Sequence, residues 1–228
     1  MANKDRYVAE VLGTFSLVFA GCGAIIVNDL YGGQLGLVGI CIVFGLIVMA
    51  MVYSIGNISG AHINPAVTIG FYVAGRFPFR LVLPYIVCQL AGAVLAAGIL
   101  RFLFPGHENL GGTAPAVPIV SALAVEVLLT FILMFVILNV STGHKEKGIM
   151  AGVAVGGVVA LNAMVGGPLT GASMNPARSL GPALVSMDLQ SMWIYILGPV
   201  IGVVVAWPTC RWIQGPDCCP PISQGGDS

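Results

Sequence analysis

Charged side chains are scarce in this chain of 228 residues, since aspartate, glutamate, lysine and arginine together make up only 8% of it. Soluble domains carry about 25% charged residues, so the composition excludes water as the main solvent of this protein. Neither sign is in excess, because nine basic residues balance nine acidic ones, and this gives no argument for a nucleic-acid partner. Hydrophobic residues account for 57% of the chain, which indicates a polytopic helical protein of the lipid bilayer.

The usual signatures of catalysis are also missing. The sequence has no phosphate-binding loop, no metal-ligand spacing and no nucleophile with a plausible base nearby. We therefore expect no enzyme, no metal site and no cofactor. Asp29, His107 and Glu108 are scattered in predicted loops, where we expect them to be solvated.

Six apolar stretches are each long enough to cross a bilayer, which requires about 20 residues. They lie at about 7–27, 36–56, 82–104, 117–140, 148–168 and 192–213. Two shorter apolar stretches, of about ten residues each, follow the second and fifth spans and are too short to cross. The sequence thus predicts an all-α membrane protein with six transmembrane helices plus two half-helices.

The tripeptide Asn-Pro-Ala occurs twice, at Asn64-Pro65-Ala66 and at Asn175-Pro176-Ala177. Residues 59–70 (SGAHINPAVTIG) and 170–181 (TGASMNPARSLG) share six of twelve positions, and 9–20 shares seven of twelve with 125–136. This indicates an internal duplication. Each half has three spans, an odd number, so the second copy crosses the membrane in the opposite sense, as in the inverted repeats of many transport proteins.

We therefore predict a single channel domain over 1–213, with inverted repeats at about 7–104 and 117–213. A flexible cytoplasmic tail, 214–228, carries Cys218 and Cys219 and has no periodicity. If the N-terminus is cytoplasmic, seven lysines and arginines lie inside and one, Arg101, lies outside, which is a strong positive-inside signal. The inside residues are Lys4, Arg6, Arg76, Arg80, Lys145, Lys147 and Arg211. Both termini are then cytoplasmic, and we expect a multi-pass protein of the inner or plasma membrane.

The non-helical segments before the two motifs lie at membrane depth, where such backbone is tolerated only if protein buries it or a watery cavity receives it. Their small residues leave room for a pathway lined by carbonyl groups. The predicted pore-loop residues are Gly60, Ala61, His62 and Gly171. By position alone, His62 is equally a packing residue or a donor that faces the pore.

The two half-helix N-termini are expected to meet at the midplane, where their dipoles repel cations. Asn64 and Asn175 can both donate to a passing oxygen atom, which interrupts proton transfer along the file of molecules. Arg178 is a charge at membrane depth, either pore-lining or a structural residue neutralised by carbonyls or by Glu126. Glu10 and Glu126 hold equivalent positions, so acceptance from loop N–H groups is favoured over a proton relay.

Two NPA boxes, NPAV and NPAR, in inverted three-span halves resemble the aquaporin or major intrinsic protein family over about residues 7–213. The resemblance implies an hourglass monomer with its own pore and a homotetramer. It also implies a selectivity filter near the outer mouth. Its four positions here are Phe44, Ala163, Ala172 and Arg178.

Water-selective family members carry histidine where this chain has Ala163, so the resemblance implies a wider, less polar filter. Ser179 and Ala183 are similar to water channels, whereas Tyr195-Ile196 departs from them, and this mixture resembles the nodulin-26-like branch. Bacterial members of that branch with this filter are associated with neutral metalloid hydroxides such as arsenous acid. We therefore expect passive permeation of water, glycerol and such solutes.

Three alternatives remain open at this point. The chain could be a water-selective channel in which another side chain compensates for Ala163. It could be a secondary transporter, since inverted repeats with broken helices also serve alternating access, with only Glu10 and Glu126 as coupling candidates. A non-conducting structural protein is the third.

Overall fold

The computed structural model describes residues 3–141 and 149–215, and within these ranges the chain forms eight α-helices. Six are long and apolar enough to cross a membrane. The helices are α1 (Asn3–Leu30), α2 (Gly36–Ser59), α3 (Pro65–Val73), α4 (Phe79–Leu103), α5 (Ile119–Val140), α6 (Ala151–Thr170), α7 (Pro176–Ser186) and α8 (Met192–Gln214). The predicted fold class, six spans plus two half-helices, is confirmed.

The half-helices α3 and α7 begin at the prolines of the two motifs. Asn64 precedes α3 in an extended conformation, and its Oδ1 accepts from the Ala66 N–H at 2.9 Å. Asn175 caps α7 in the same way, accepting from Ala177 at 3.0 Å. Proline suits the first helical position because its φ is fixed there and its missing N–H would have no partner. The short apolar segments expected from composition cover 67–75 and 178–187, so both half-helices start two residues earlier than expected.

Helix packing repeats between the two halves. Helix α1 packs against α2 and α4, and α5 packs against α6 and α8 in the same way. The halves are joined where α2 packs against α6. Each half-helix packs against the last helix of the opposite half, so that α3 contacts α8 and α7 contacts α4. This reciprocal arrangement places the N-termini of α3 and α7 together in the middle of the bundle.

Glycines allow the close helix crossings on which this arrangement depends. A Cβ at Gly202 would lie 2.6 Å from the Val127 carbonyl oxygen, and one at Gly92 would clash with the Val11 carbonyl in the equivalent crossing of the first half. Gly45 and Gly156 face each other between α2 and α6, and a Cβ at Gly45 would lie 2.6 Å from the Gly156 oxygen. In lipid, where apolar burial does not drive helices together, such close backbone approach supplies packing energy.

The predicted tail begins within the fold, because Gln214 is the last residue of α8. Residues 216–228, with Cys218 and Cys219, lie outside the described residues. The division into one domain and a tail, and the cytoplasmic position of the termini, stay predictions.

Substituting alanine at Gly92 is expected to destabilise the protein by about 1–3 kcal/mol, because overpacking forces α1 and α4 apart. Gly98→Ala is the matched control on the same helix, since nothing lies within 4 Å of a Cβ there. Thermal unfolding in detergent should show a lower midpoint for Gly92→Ala and an unchanged or higher one for Gly98→Ala. Equal midpoints would contradict the close crossing.

Candidate functional site

The two motif asparagines bind each other's loop. Asn64 Nδ2 donates to the Met174 carbonyl at 2.8 Å, and Asn175 Nδ2 donates to the Ile63 carbonyl at 2.9 Å. Each side-chain oxygen is meanwhile occupied as a helix cap. A side-chain amide has two N–H groups, so each asparagine retains a second donor hydrogen after this bond. The reciprocal bonds fix the junction of the half-helices and leave one N–H on each side for a ligand.

The two loops before the motifs share one strained backbone conformation. Non-glycine residues with φ between 43° and 53° occur at the same positions of both loops, and each loop begins with a glycine at positive φ. The residues are Gly60, Ala61 and Ile63 in the first loop and Gly171, Ala172 and Met174 in the second. Left-handed φ values are uncommon outside glycine and persist only where surrounding contacts enforce them.

Glu10 and Glu126 are the contacts that enforce this conformation. The two oxygens of Glu10 accept from the backbone N–H groups of His62 at 2.9 Å and Ile63 at 2.7 Å. Glu126 accepts from Ser173 and Met174, both at 2.9 Å. Both carboxyl groups are fully buried. The two glutamates therefore support the loops, as their equivalent positions suggested, because their oxygens accept from loop N–H groups.

Two buried tyrosines hold the starts of the loops. Tyr85 donates to the Ser59 carbonyl at 2.9 Å, and Tyr195 donates to the Thr170 carbonyl at 2.8 Å. Tyr195, part of the Tyr-Ile pair in the last span, is therefore a loop support in this structure. Because the two tyrosines donate to equivalent loop carbonyls, they are a further pair of duplicated residues, one that the aligned sequence segments did not include.

His62 packs against aromatic side chains and also faces the path, so both interpretations of its position apply. Its Nδ1 lies 3.1 Å from Thr68 Oγ1, and its ring is stacked on Phe71 and packed between Phe77 and Tyr85. It also lines the pathway described below. Thr68 in turn accepts from Gln89 Nε2 at 2.9 Å.

Arg178 lies at the start of α7 and is only 2% exposed. Its Nη1 donates to the Gly111 carbonyl at 3.0 Å and contacts Cys22 Sγ at 3.3 Å, and its guanidinium carbon lies 5.0 Å from the centre of the Phe44 ring. Its Nε and Nη2 have no protein partner within residues 3–141 and 149–215. These N–H groups can therefore donate hydrogen bonds to a molecule in the adjacent cavity.

Two adjoining cavities form a path within the bundle. The narrow one has a volume of about 60 Å³ and is bordered by all four predicted filter residues and by both motif asparagines. The wide one, about 480 Å³, is bordered by Gly60 and Arg76. Both cavities are lined by Val52, Ala61, His62, Val67, Ile137 and Val155. The path is polar along the loops and apolar on the opposite wall.

The structure therefore brings Phe44, Ala163, Ala172 and Arg178 around one narrow cavity. Ala61 and His62 line both cavities, and Gly60 lines the wide one. Gly171 is not among the residues that line these two cavities, and a Cβ there would lie 3.1 Å from Thr113. Its assignment to the pore loop stays a prediction.

Four contacts of the site, made by three residues, are not apparent in the sequence. The Gly111 carbonyl and Cys22 both hold Arg178, and Gln89 donates to Glu10 at 2.8 Å as well as to Thr68. Gln89 could have been noticed in the sequence, since it is a polar residue within an apolar span. A backbone carbonyl such as that of Gly111 offers none.

A six-span bundle in which two half-helices meet beside a narrow, donor-lined path is a membrane channel for small solutes. Comparisons with known proteins identify the group of channels. The family described as "Major intrinsic protein" matches residues 1–207, and this chain belongs to that family, the aquaporins. Aquaporins are channels, so the expectation that the chain is not an enzyme is confirmed.

The similar proteins agree with the nodulin-26-like resemblance. Aquaporin NIP1-1 of Zea mays is 51% identical over 205 residues, which cover 89% of this chain and 73% of the relative. Nodulin-26 of Glycine max is 48% identical over 205 residues, covering 89% and 76%. The X-ray structure of the aquaglyceroporin from Plasmodium falciparum superimposes with a TM-score of 0.82 at 26% identity, covering 95% of this chain and 99% of that one.

Replacing Glu126 with glutamine should lower stability by about 1–3 kcal/mol, because an amide nitrogen then faces a buried N–H donor. The Met174 N–H is the donor left unpaired if the remaining oxygen serves Ser173 and Thr170. Thermal unfolding in detergent measures the change, with the exposed Glu108→Gln as control. If both variants unfold like the wild type, Glu126 does not support the loop.

Proposed function

We propose that this channel passively conducts water and small neutral polyhydroxy solutes, such as glycerol and metalloid hydroxides including arsenous acid, and excludes protons and ions. The observation that carries the proposal is the narrow cavity, where a buried Arg178 with unpaired N–H groups faces Phe44 and two alanines.

The chemistry of this cavity matches such solutes. Glycerol and arsenous acid are uncharged and compact, and each carries three hydroxyl groups. Their oxygens can accept from Nε and Nη2 of Arg178, while their less polar sides contact Phe44, Ala163 and Ala172. A histidine at position 163 would add volume and a donor, so Ala163 favours solutes larger than water.

Exclusion of charge follows from the junction of the half-helices. Each helix N-terminus carries the equivalent of about half a positive charge, and two such ends face the path, which disfavours cations. A water molecule that accepts from the free N–H groups of both Asn64 and Asn175 cannot accept from its neighbours in the file, so protons are not relayed. The oxygens of Glu10 and Glu126, the only coupling candidates for a secondary transporter, are bound by loop N–H groups.

The names of the similar proteins support the solute class. One solved structure is that of an aquaglyceroporin, and the relatives include proteins named Aquaporin NIP1-1 and Nodulin-26. By the same family relationship we propose a homotetramer in the inner or plasma membrane. The distribution of lysine and arginine supports two cytoplasmic termini.

The solute proposal is tested by measuring permeabilities of water, glycerol and arsenous acid in one preparation of proteoliposomes. We expect all three to exceed those of protein-free vesicles. Fast water flux without glycerol or arsenous acid flux would show a water-selective channel and overturn the proposal. Flux that follows an ion gradient and saturates would show a transporter instead.

Replacing Ala163 with histidine should lower glycerol permeability relative to water by about tenfold or more, because the added ring narrows the cavity and pocket size discriminates on this scale. Ala163→Ser is the control, since it adds a hydroxyl group but little volume. We expect the serine variant to keep the wild-type ratio in stopped-flow shrinkage assays. An unchanged ratio in the histidine variant would show that Ala163 does not limit passage.

A further inference from the structure

A tight turn in the connection between α4 and α5 contacts the side chain of Arg178. The Gly111 carbonyl in this turn accepts from Arg178 Nη1 at 3.0 Å. Gly111 has φ +67° and sits against α1, where a Cβ would lie 2.6 Å from the Cys22 carbonyl oxygen. This carbonyl and Cys22 Sγ are the two hydrogen-bond acceptors of Nη1, so the position of the turn contributes directly to the position of the guanidinium.

The turn is held by its own side chains. Asn109 Oδ1 accepts from the Gly111 N–H at 3.1 Å, and the Asn109 carbonyl accepts from Gly112 at 2.9 Å. Leu110 is fully buried in the cluster that includes Ala177, yet it has φ +54°, which is an unfavourable conformation for leucine. Such a conformation requires contacts that enforce it.

His107 provides one of these contacts. Its Nδ1 accepts from the Leu110 N–H at 3.1 Å, and its Nε2 lies 3.3 Å from Asp29 Oδ2 at the end of α1. Because Nδ1 accepts, the ring is neutral with its hydrogen on Nε2, which donates to Asp29. The His107 side chain is only 10% exposed. The expectation that it is a solvated loop residue is wrong, because the turn folds back over it.

We propose that His107 and Asp29 are positioning residues for Arg178. The neutral imidazole holds the Leu110 N–H, this bond maintains the turn, and the Gly111 carbonyl of that turn keeps the guanidinium against the wall of the narrow cavity. The inference deepens the proposed function, since it concerns the residue that meets the solute.

This arrangement makes the filter sensitive to pH. Imidazole is the side chain that changes charge between pH 5 and 8. A proton on Nδ1 faces the Leu110 N–H, so the ring must turn or the bond must break. Three charged residues surround the ring. Asp29 from α1 is half exposed, Arg101 from α4 donates from Nη1 to the His107 carbonyl at 2.7 Å, and Glu108 is the next residue in the chain. Acid should thus release the Gly111 carbonyl and let Arg178 move into the path.

Three variants separate this role from simple structural support. His107→Asn keeps an acceptor near the Nδ1 position but cannot titrate in this range. His107→Phe keeps a ring and loses both hydrogen bonds. Asp29→Asn keeps an acceptor for Nε2 and removes the negative charge beside it.

The measurement is the permeability of glycerol and of water in proteoliposomes with equal pH on both sides, from 8 to 5. In the wild type we expect the glycerol-to-water ratio to fall by about fivefold on acidification, which is the change that one net hydrogen bond supports. His107→Asn should keep the high ratio at every pH, and His107→Phe should show the low ratio at every pH. Asp29→Asn should keep the wild-type ratio at pH 8, because it retains an acceptor for His107 Nε2.

A wild-type ratio that does not change with pH would overturn the proposal, and so would a His107→Asn variant whose ratio changes with pH like that of the wild type. A His107→Phe variant with the wild-type ratio at pH 8 would overturn it as well. If no variant conducts glycerol, the proposed solute range fails, but water permeability alone still reports the pH response, because Arg178 also borders the path of water. Equal thermal midpoints of the variants in detergent exclude misfolding as the cause.

Discussion

Two buried carboxylates satisfy the backbone of two broken helices, and the rest of the structure depends on this interaction. A non-helical segment inside a membrane exposes N–H groups that find no water, and each unpaired group costs several kcal/mol. Glu10 and Glu126 each accept from two consecutive loop N–H groups. The loops can therefore keep left-handed residues, and the Ile63 and Met174 carbonyls can accept from the opposite asparagines.

Equivalent residues of the two halves support the two loops that line the path. The positions at which the halves differ determine the chemistry of the path. Tyr85 and Tyr195, like Glu10 and Glu126, act on equivalent loop atoms. The halves differ where Val67 in one corresponds to Arg178 in the other, both bordering the narrow cavity. Among the described residues that line the narrow cavity, the duplicated scaffold thus carries one arginine and no lysine.

Much of this could be predicted from the sequence, because membrane chemistry restricts the possibilities. Apolar length predicted the six spans, and the two short apolar segments predicted where α3 and α7 begin to within two residues. The support by Glu10 and Glu126 followed from their equivalent positions. The Gly111 carbonyl could not be predicted, since a backbone acceptor leaves no side-chain signal, and His107 was misjudged because only the folded turn buries it.

We propose that the junction of α3 and α7 passes neutral molecules and stops protons. The most direct test is to measure water permeability and proton permeability in the same proteoliposomes, with a pH-sensitive dye inside and an imposed pH gradient. We expect water permeability to rise well above that of protein-free vesicles while proton permeability stays at their level. A proton permeability that rises together with the amount of reconstituted protein would contradict the account.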